Sequence, residues 1–159
     1  MTPDVSNLKE TDEAFMRKAL ELAERSAEAG EVPIGAIAVY QGKIIGGNGN
    51  WVERMKDPFS HAEMNAMRDA ARYIGDWRLD GVTIYVTKEP CAMCAGAMVN
   101  ARIRRVVFGL PDPRSGCAGG AVDITGFPGM LHRVEVTGGV LEDECRTLIQ
   151  DFFRKVRKK

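Results

Sequence analysis

Val82-Thr83-Ile84-Tyr85-Val86-Thr87-Lys88-Glu89-Pro90-Cys91-Ala92-Met93-Cys94 is the stretch on which the fold turns. Its first six residues are all β-branched or aromatic and read as a strand. Pro90 suits the start of a helix, where its missing N–H costs nothing, and the helix is expected from Cys91 to about Asn100. Arg105 to Gly109 is again strand-like. Strand, helix, strand predicts a parallel crossover, with a site at the carboxyl ends of the strands, where open α/β sheets hold ligands. Cys91 and Cys94 are three positions apart, so on a helix they share one face and can grip one ion. The positive end of the helix favours their thiolate form, which is the metal-binding form.

Working upstream, Asp57-Pro58-Phe59-Ser60-His61-Ala62-Glu63 precedes a second helix, expected from His61 or Ala62 to about Ile74. His61 and Glu63 are i and i+2, and inside a helix they would point apart. Both reach one pocket only if His61 sits at the helix mouth, outside regular geometry. Pro58 makes a start near Ser60 or His61 plausible, because the residue before a proline resists helical angles. His61, Cys91 and Cys94 are then three metal ligands with the Glu63 carboxylate beside them. Three protein ligands leave a tetrahedral ion one open position, as in catalytic zinc sites, and zinc there makes a water nucleophilic near neutral pH. A closed structural site would need Cys117, Cys145 or His132 as fourth ligand; Cys145 lies in the expected last helix, and neither Cys117 nor His132 belongs to a paired-ligand spacing. A thioredoxin-like redox pair at Cys91 and Cys94 leaves His61 and Glu63 unexplained.

The remaining elements follow the same periodicities. Residues 1–10 read as a loose polar leader. Thr11 to Ala29 is helical, with Phe15, Ala19, Leu22, Ala23 and Ser26 on the buried side, and Gly30 stops it. Ile34 to Tyr40 and Lys43 to Gly47 form a hairpin turned at Gln41-Gly42. Gly46 to Gly49 reads as a glycine-rich loop without the lysine of a phosphate cradle, and a polar loop runs from Asn50 to Pro58. Met64, Met67, Ala71 and Ile74 form the expected buried stripe of the helix after His61. Residues 110–131, rich in Gly and Pro, are expected as a loop over the site. Val134 to Val136 adds a last strand, and an amphipathic helix spans about Leu141 to Val156. The sum is an α/β three-layer sandwich, a mixed sheet of about five strands with helices on both faces.

Composition bounds the function. A chain of 159 residues is enough for one domain with a real core, and 1–159 is expected to be a single zinc-dependent domain. A formal net charge of zero creates no global field to attract a polyanion, so any nucleic-acid partner must be drawn by a local patch. No apolar run reaches membrane-spanning length and no signal peptide is evident. Four cysteines, two of them in Cys-x-x-Cys, fit metal binding in a reducing cytoplasm better than a disulfide scaffold.

His-x-Glu with Pro-Cys-x-x-Cys is a signature of the zinc deaminases. From about Phe15 onward the chain resembles the cytidine-deaminase superfamily, and within it the bacterial tRNA-specific adenosine deaminases. The likeness rests on Gly30-Glu31-Val32-Pro33-Ile34-Gly35-Ala36, His61-Ala62-Glu63, Trp77-Arg78-Leu79 and Glu89-Pro90-Cys91-Ala92-Met93-Cys94-Ala95-Gly96. It continues through Arg105-Val106-Val107-Phe108-Gly109, His132-Arg133 and Asp151-Phe152-Phe153. The resemblance implies a cytoplasmic homodimer that converts the wobble adenosine of a tRNA anticodon loop to inosine. It implies His61, Cys91 and Cys94 as ligands of Zn2+ and Glu63 as proton carrier. Asn50 would hold the nucleoside, Asp112 would lie near the ribose, and the Ala62 backbone would meet the base.

A basic patch for the RNA phosphates is sought among Arg102, Arg104, Arg105, Arg114, Arg154, Lys155, Arg157, Lys158 and Lys159. Phe152 and Phe153 are candidates for stacking, with core packing expected of at least one. Five residues depart from the family's pattern: Phe59-Ser60 before His61, Lys88, Leu131 and Trp51. Phe59 at the pocket entrance would suit a second reading, deamination of a small free base or amino-heterocycle such as guanine, cytosine or a triazine. A third is a non-catalytic, zinc-stabilised RNA-binding module.

Overall fold

The computed structural model describes residues 5–157. Helix α1 spans Val5–Glu28, followed by strands β1 (Gly35–Tyr40) and β2 (Lys43–Gly49), a short helix α2 (Val52–Met55) and helix α3 (Ala62–Ile74). Strand β3 (Val82–Lys88), helix α4 (Ala92–Asn100), strands β4 (Arg105–Leu110) and β5 (Glu135–Thr137), and helix α5 (Glu142–Arg157) complete the chain. The five strands form one mixed sheet in the order β2-β1-β3-β4-β5. β1 is antiparallel to both neighbours, whereas β3, β4 and β5 run parallel.

The sheet is buried on both sides, so its strands alternate between two apolar clusters rather than between core and water. Ala36, Ala38, Ile84, Val86, Val106 and Phe108 face helices α3 and α4. Their neighbours Ile37, Val39, Tyr85 and Val107 face α1 and α5, where Met16, Ala19 and Cys145 meet them. The expected three-layer α/β/α sandwich is therefore the observed one, and β3-α4-β4 is the expected parallel crossover. Gln41 and Gly42 both have positive φ (51° and 77°), the backbone of a tight hairpin turn.

Four expectations are corrected. Residues 1–10 are not all a loose leader: α1 begins at Val5, and Met1 to Asp4 lie outside the described residues. The helix is anchored by Asp12, 3% exposed, which accepts from the Tyr85 hydroxyl at 2.8 Å and from both Arg105 guanidinium nitrogens at 2.9 and 2.7 Å. Gly46 to Gly49 is not a loop but the second half of β2. Small residues are needed there because α3 crosses it closely: a Cβ on Gly46 would come within 2.8 Å of the Ala66 carbonyl oxygen and of Asp69 Cβ. The segment from Asn50 to Pro58 contains α2, whose first N–H groups are taken by buried Glu31; Glu53 N–H donates to Oε1 and Arg54 N–H to Oε2. On α3 the fully buried positions are Ala62, Glu63, Asn65, Ala66, Met67 and Ala70; Met64, Ala71 and Ile74 flank them and are only partly covered.

Candidate metal centre and pocket

Two helices begin at the same place. His61 is the residue immediately before α3 and Cys91 the residue immediately before α4, both with extended backbone (ψ 152° and 179°). That release from helical angles turns the His61 ring toward the side on which Glu63 lies. Asn65 holds the turn in place: its amide donates to the Gly49 carbonyl and to the Ser60 hydroxyl, both at 3.1 Å. Cys94, fully buried in the first turn of α4, completes a triangle. The ligand atoms of His61, Cys91 and Cys94 all lie within 4.8 Å of one another, and among the described residues the cluster consists of these three side chains. His61 Nδ1 stands 3.6 Å from Cys91 Sγ and 3.5 Å from Cys94 Sγ.

None of the other candidate fourth ligands joins them. His132 Nε2 is bound to the Ile103 carbonyl at 2.7 Å, Cys145 is buried under α5, and the Cys117 thiol donates to the Ser115 carbonyl. All four cysteines are free thiols.

The three groups of the cluster titrate in concert. Its hydrogen bond with Cys94, helped by His61, pulls the Cys91 thiol down to about 3, and the same bond with Cys91 drives the Cys94 thiol upward. The His61 ring is raised by its hydrogen bond to Cys91. Glu63, 4% exposed, is pushed up to about 6 chiefly by burial, a value that lets a carboxyl both take and give a proton near neutrality.

A cavity of about 250 Å³ opens onto this cluster. His61, Ala62, Glu63, Cys91, Asn50 and Asp112 all line it, so every candidate site residue converges here except Cys94, which lies behind the wall. Asn50 is held by two long bonds: Nδ2 donates to the Val32 carbonyl, and Oδ1 accepts from Val52 N–H, both at 3.3 Å. The Asp112 carboxylate accepts from the backbone N–H groups of Arg114 and Ser115 and from the Ser115 hydroxyl. These donors, with Lys88, hold it well below the usual carboxylate range. The expected loop over the site is thus partly realised by residues 112–120.

Other expectations fail. Phe59 is 58% exposed and does not line the cavity; its N–H donates to the Asp57 carboxylate at 2.8 Å. The basic candidates are dispersed, and of them Arg114 stands exposed on the loop between Asp112 and Ser115, which line the cavity. Arg105 is committed to Asp12 and Thr137. Arg102 and Arg104 lie where β4 begins, the end of the strands opposite the pocket. Arg154, Lys155 and Arg157 are on exposed α5, and Lys158 and Lys159 lie outside the described residues. Phe152 is partly covered and Phe153 exposed, their rings 5.3 Å apart edge to face; neither belongs to a core cluster.

Sequence reasoning missed Glu89. This buried carboxylate accepts from the N–H groups of Asp112 (2.9 Å), Ala118 (3.0 Å) and Gly120 (2.8 Å), and so folds the loop that carries Asp112 against the pocket. A Cβ on Gly120 would come within 2.6 Å of Glu89 Oε1. The glycines of that loop were the available signal, since close backbone N–H groups make an anion nest.

A metal-ligand triangle beside a buried carboxylate, at the carboxyl ends of two parallel strands, is the architecture of the hydrolytic deaminases. Residues 10–157 match the MafB19-like deaminase family, and the chain belongs to that family. It is 45% identical over 148 residues to the tRNA-specific adenosine deaminase of Bacillus subtilis (strain 168), covering 93% of this chain and 92% of the relative. A solved structure from studies of A-to-I editing by tRNA:A34 deaminases at the wobble position of transfer RNA superposes with a TM-score of 0.82. It is 39% identical and covers 85% of this chain and 98% of its own. The structure of guanine deaminase from Bacillus subtilis, 38% identical, covers 62% of this chain and 64% of its own, with a TM-score of 0.60.

Proposed function

We propose that this protein deaminates adenosine to inosine at the wobble position of a tRNA anticodon, with Zn2+ held by His61, Cys91 and Cys94. The single observation that supports this most is the convergence of the three ligand atoms and Glu63 on one cavity. Ligand chemistry fits the ion. Bonds of about 2.3 Å to sulfur and 2.0 Å to nitrogen at a tetrahedral angle imply an S···N edge of roughly 3.5 Å, close to the 3.6 and 3.5 Å between His61 Nδ1 and the two sulfurs. Zinc, when bound, supplies Lewis acidity and an activated water.

Glu63 does the proton work in this reading. Its carboxylate takes a proton from the attacking water and delivers it to the ring nitrogen next to C6; a second transfer lets the amino group leave as ammonia. Adenosine and water become inosine and ammonia, and Glu63 ends as it began. Ala62 opens α3, so its N–H has no partner within the helix and is available to the base. Asn50 and Asp112 stand on the wall to hold the sugar. A wobble base in a single-stranded loop swings into such a pocket with little unpairing cost.

The whole chain is read as one deaminase domain, acting as a homodimer in the cytoplasm. Exposed Val122, Phe127, Met130 and Leu131 give the segment after the 112–120 loop an apolar face for a second copy, which sedimentation in solution tests. Free thiols suit a reducing compartment. Among the described residues no helix is long and apolar enough to cross a membrane. Incubation with an anticodon stem-loop and, separately, with adenine, guanine and cytosine tests the substrate. Inosine in the RNA is the expected result, and ammonia from a free base alone contradicts it.

A further inference from the structure

Lys88 ends β3 at the rim of the cavity, about one third of its side chain exposed. Its ammonium stands 3.2 Å from Asp112 Oδ2. That carboxylate has other donors besides: Arg114 N–H, Ser115 N–H and the Ser115 hydroxyl donate to the same two oxygens at 2.9, 3.1 and 2.7 Å. An ammonium carries three donors, and among the described residues Asp112 is the partner recorded for it. The rest of its hydrogen-bonding capacity is left for whatever occupies the mouth of the pocket.

What occupies the mouth depends on the substrate. A base that reaches Glu63 and the metal ligands fills the inner end, and anything attached to it trails outward past Asp112 and Lys88. A free base has nothing there for a cation to meet. A nucleotide within a strand has a flanking phosphate there. Among the described residues Lys88 is the lysine or arginine that lines the cavity, while Arg114 stands exposed on the adjoining loop.

We propose that Lys88 is a specificity-determining residue whose ammonium contacts a phosphate flanking the target nucleoside, so that a nucleotide within RNA is favoured over a free base. This rests on the tRNA reading above. Asp112 then serves two partners, holding the ammonium over the mouth while facing the sugar.

The test uses full-length protein with zinc bound and an anticodon stem-loop carrying a wobble adenosine, assayed for inosine between 25 and 200 mM KCl. Lys88→Met keeps the length and apolar stem and removes the charge; Lys88→Arg keeps the charge. Lys88→Met is expected to raise KM about tenfold, with the loss falling on KM rather than kcat. It should also flatten the slope of log kcat/KM against log salt by about 0.7, the change for one lost single-strand phosphate contact. Lys88→Arg should restore most of both. A Lys88→Met enzyme with unchanged KM and salt slope, or one impaired in kcat alone, overturns the phosphate contact while leaving the tRNA reading intact. Wild-type protein that leaves the RNA unchanged overturns both.

Discussion

At the scale of single residues, the site is an economy of buried carboxylates doing different things according to what faces them. Glu63 faces the cavity and the sulfurs, and burial raises it to about 6. Under the proposed mechanism, replacing it by Ala or Gln removes the proton carrier but no metal ligand, so turnover should fall by about 10² to 10⁴ while bound zinc per chain stays the same; metal analysis beside the rate measurement separates the two. Glu89 faces three backbone donors of the 112–120 loop. Glu89→Gln turns one acceptor oxygen into a donor and leaves an N–H facing N–H. A cost of about 1–3 kcal/mol is expected, with faster hydrogen exchange at Asp112, Ala118 and Gly120 and a raised KM. Unchanged exchange at those amides would rule out this function for Glu89. That His61, Cys91 and Cys94 come together was legible beforehand, because a metal-binding pattern restricts residue type and spacing. Glu89, Glu31 and Asp12 were not: in sequence they look like surface charges, and only distant donors reveal them as interior.

At the scale of elements, helix starts and close crossings position the chemistry. α3 and α4 both begin at the pocket, and the residue just before the first turn of each, His61 or Cys91, belongs to the three-residue cluster. Prolines and the His-x-Glu and Cys-x-x-Cys spacings made those starts legible within a residue. The second half of β2 was not, because three glycines in four residues suggest a loop until the helix lying across Gly46 is seen. α5 lies on β4 through Cys145, 1% exposed, whose thiol burial pushes up to about 12. Between the ordinary thiol value near 9 and about 12, the unfolded chain has lost this proton and the folded chain keeps it, so stability falls as pH rises. Denaturant melts at pH 8, 9, 10 and 11 should show that decline, and Cys145→Ala should make it shallower. An equal slope in the variant would show that another group carries the alkaline loss.

At the scale of the molecule, the two apolar clusters and the parallel right half of the sheet set where the site can be. The α/β class and the β3-α4-β4 crossover were legible from periodicity alone. Strand order was not, since nothing local says that β1 lies between β2 and β3. The placement of the basic residues was not legible for the same reason, because which end of a strand a side chain occupies is a property of topology. Arg105 shows it most plainly: read as a phosphate contact, it instead ties α1 to the sheet through Asp12. Asp12→Ala leaves the largely buried Arg105 charge without its carboxylate, at a cost of about 3–5 kcal/mol. Thermal unfolding should shift down by roughly 10 °C, and a shift under 2 °C would mean that α1 is held by its apolar face alone.

Deamination as proposed requires an ion gripped by one imidazole and two sulfurs with a coordination position left for solvent. Zinc X-ray absorption on the purified protein decides whether it is there. Two sulfur scatterers at about 2.3 Å and two nitrogen or oxygen scatterers at about 2.0 Å, one of them exchangeable for an added anion, are the predicted result. A third sulfur, or a light-atom shell that no added ligand perturbs, would contradict it.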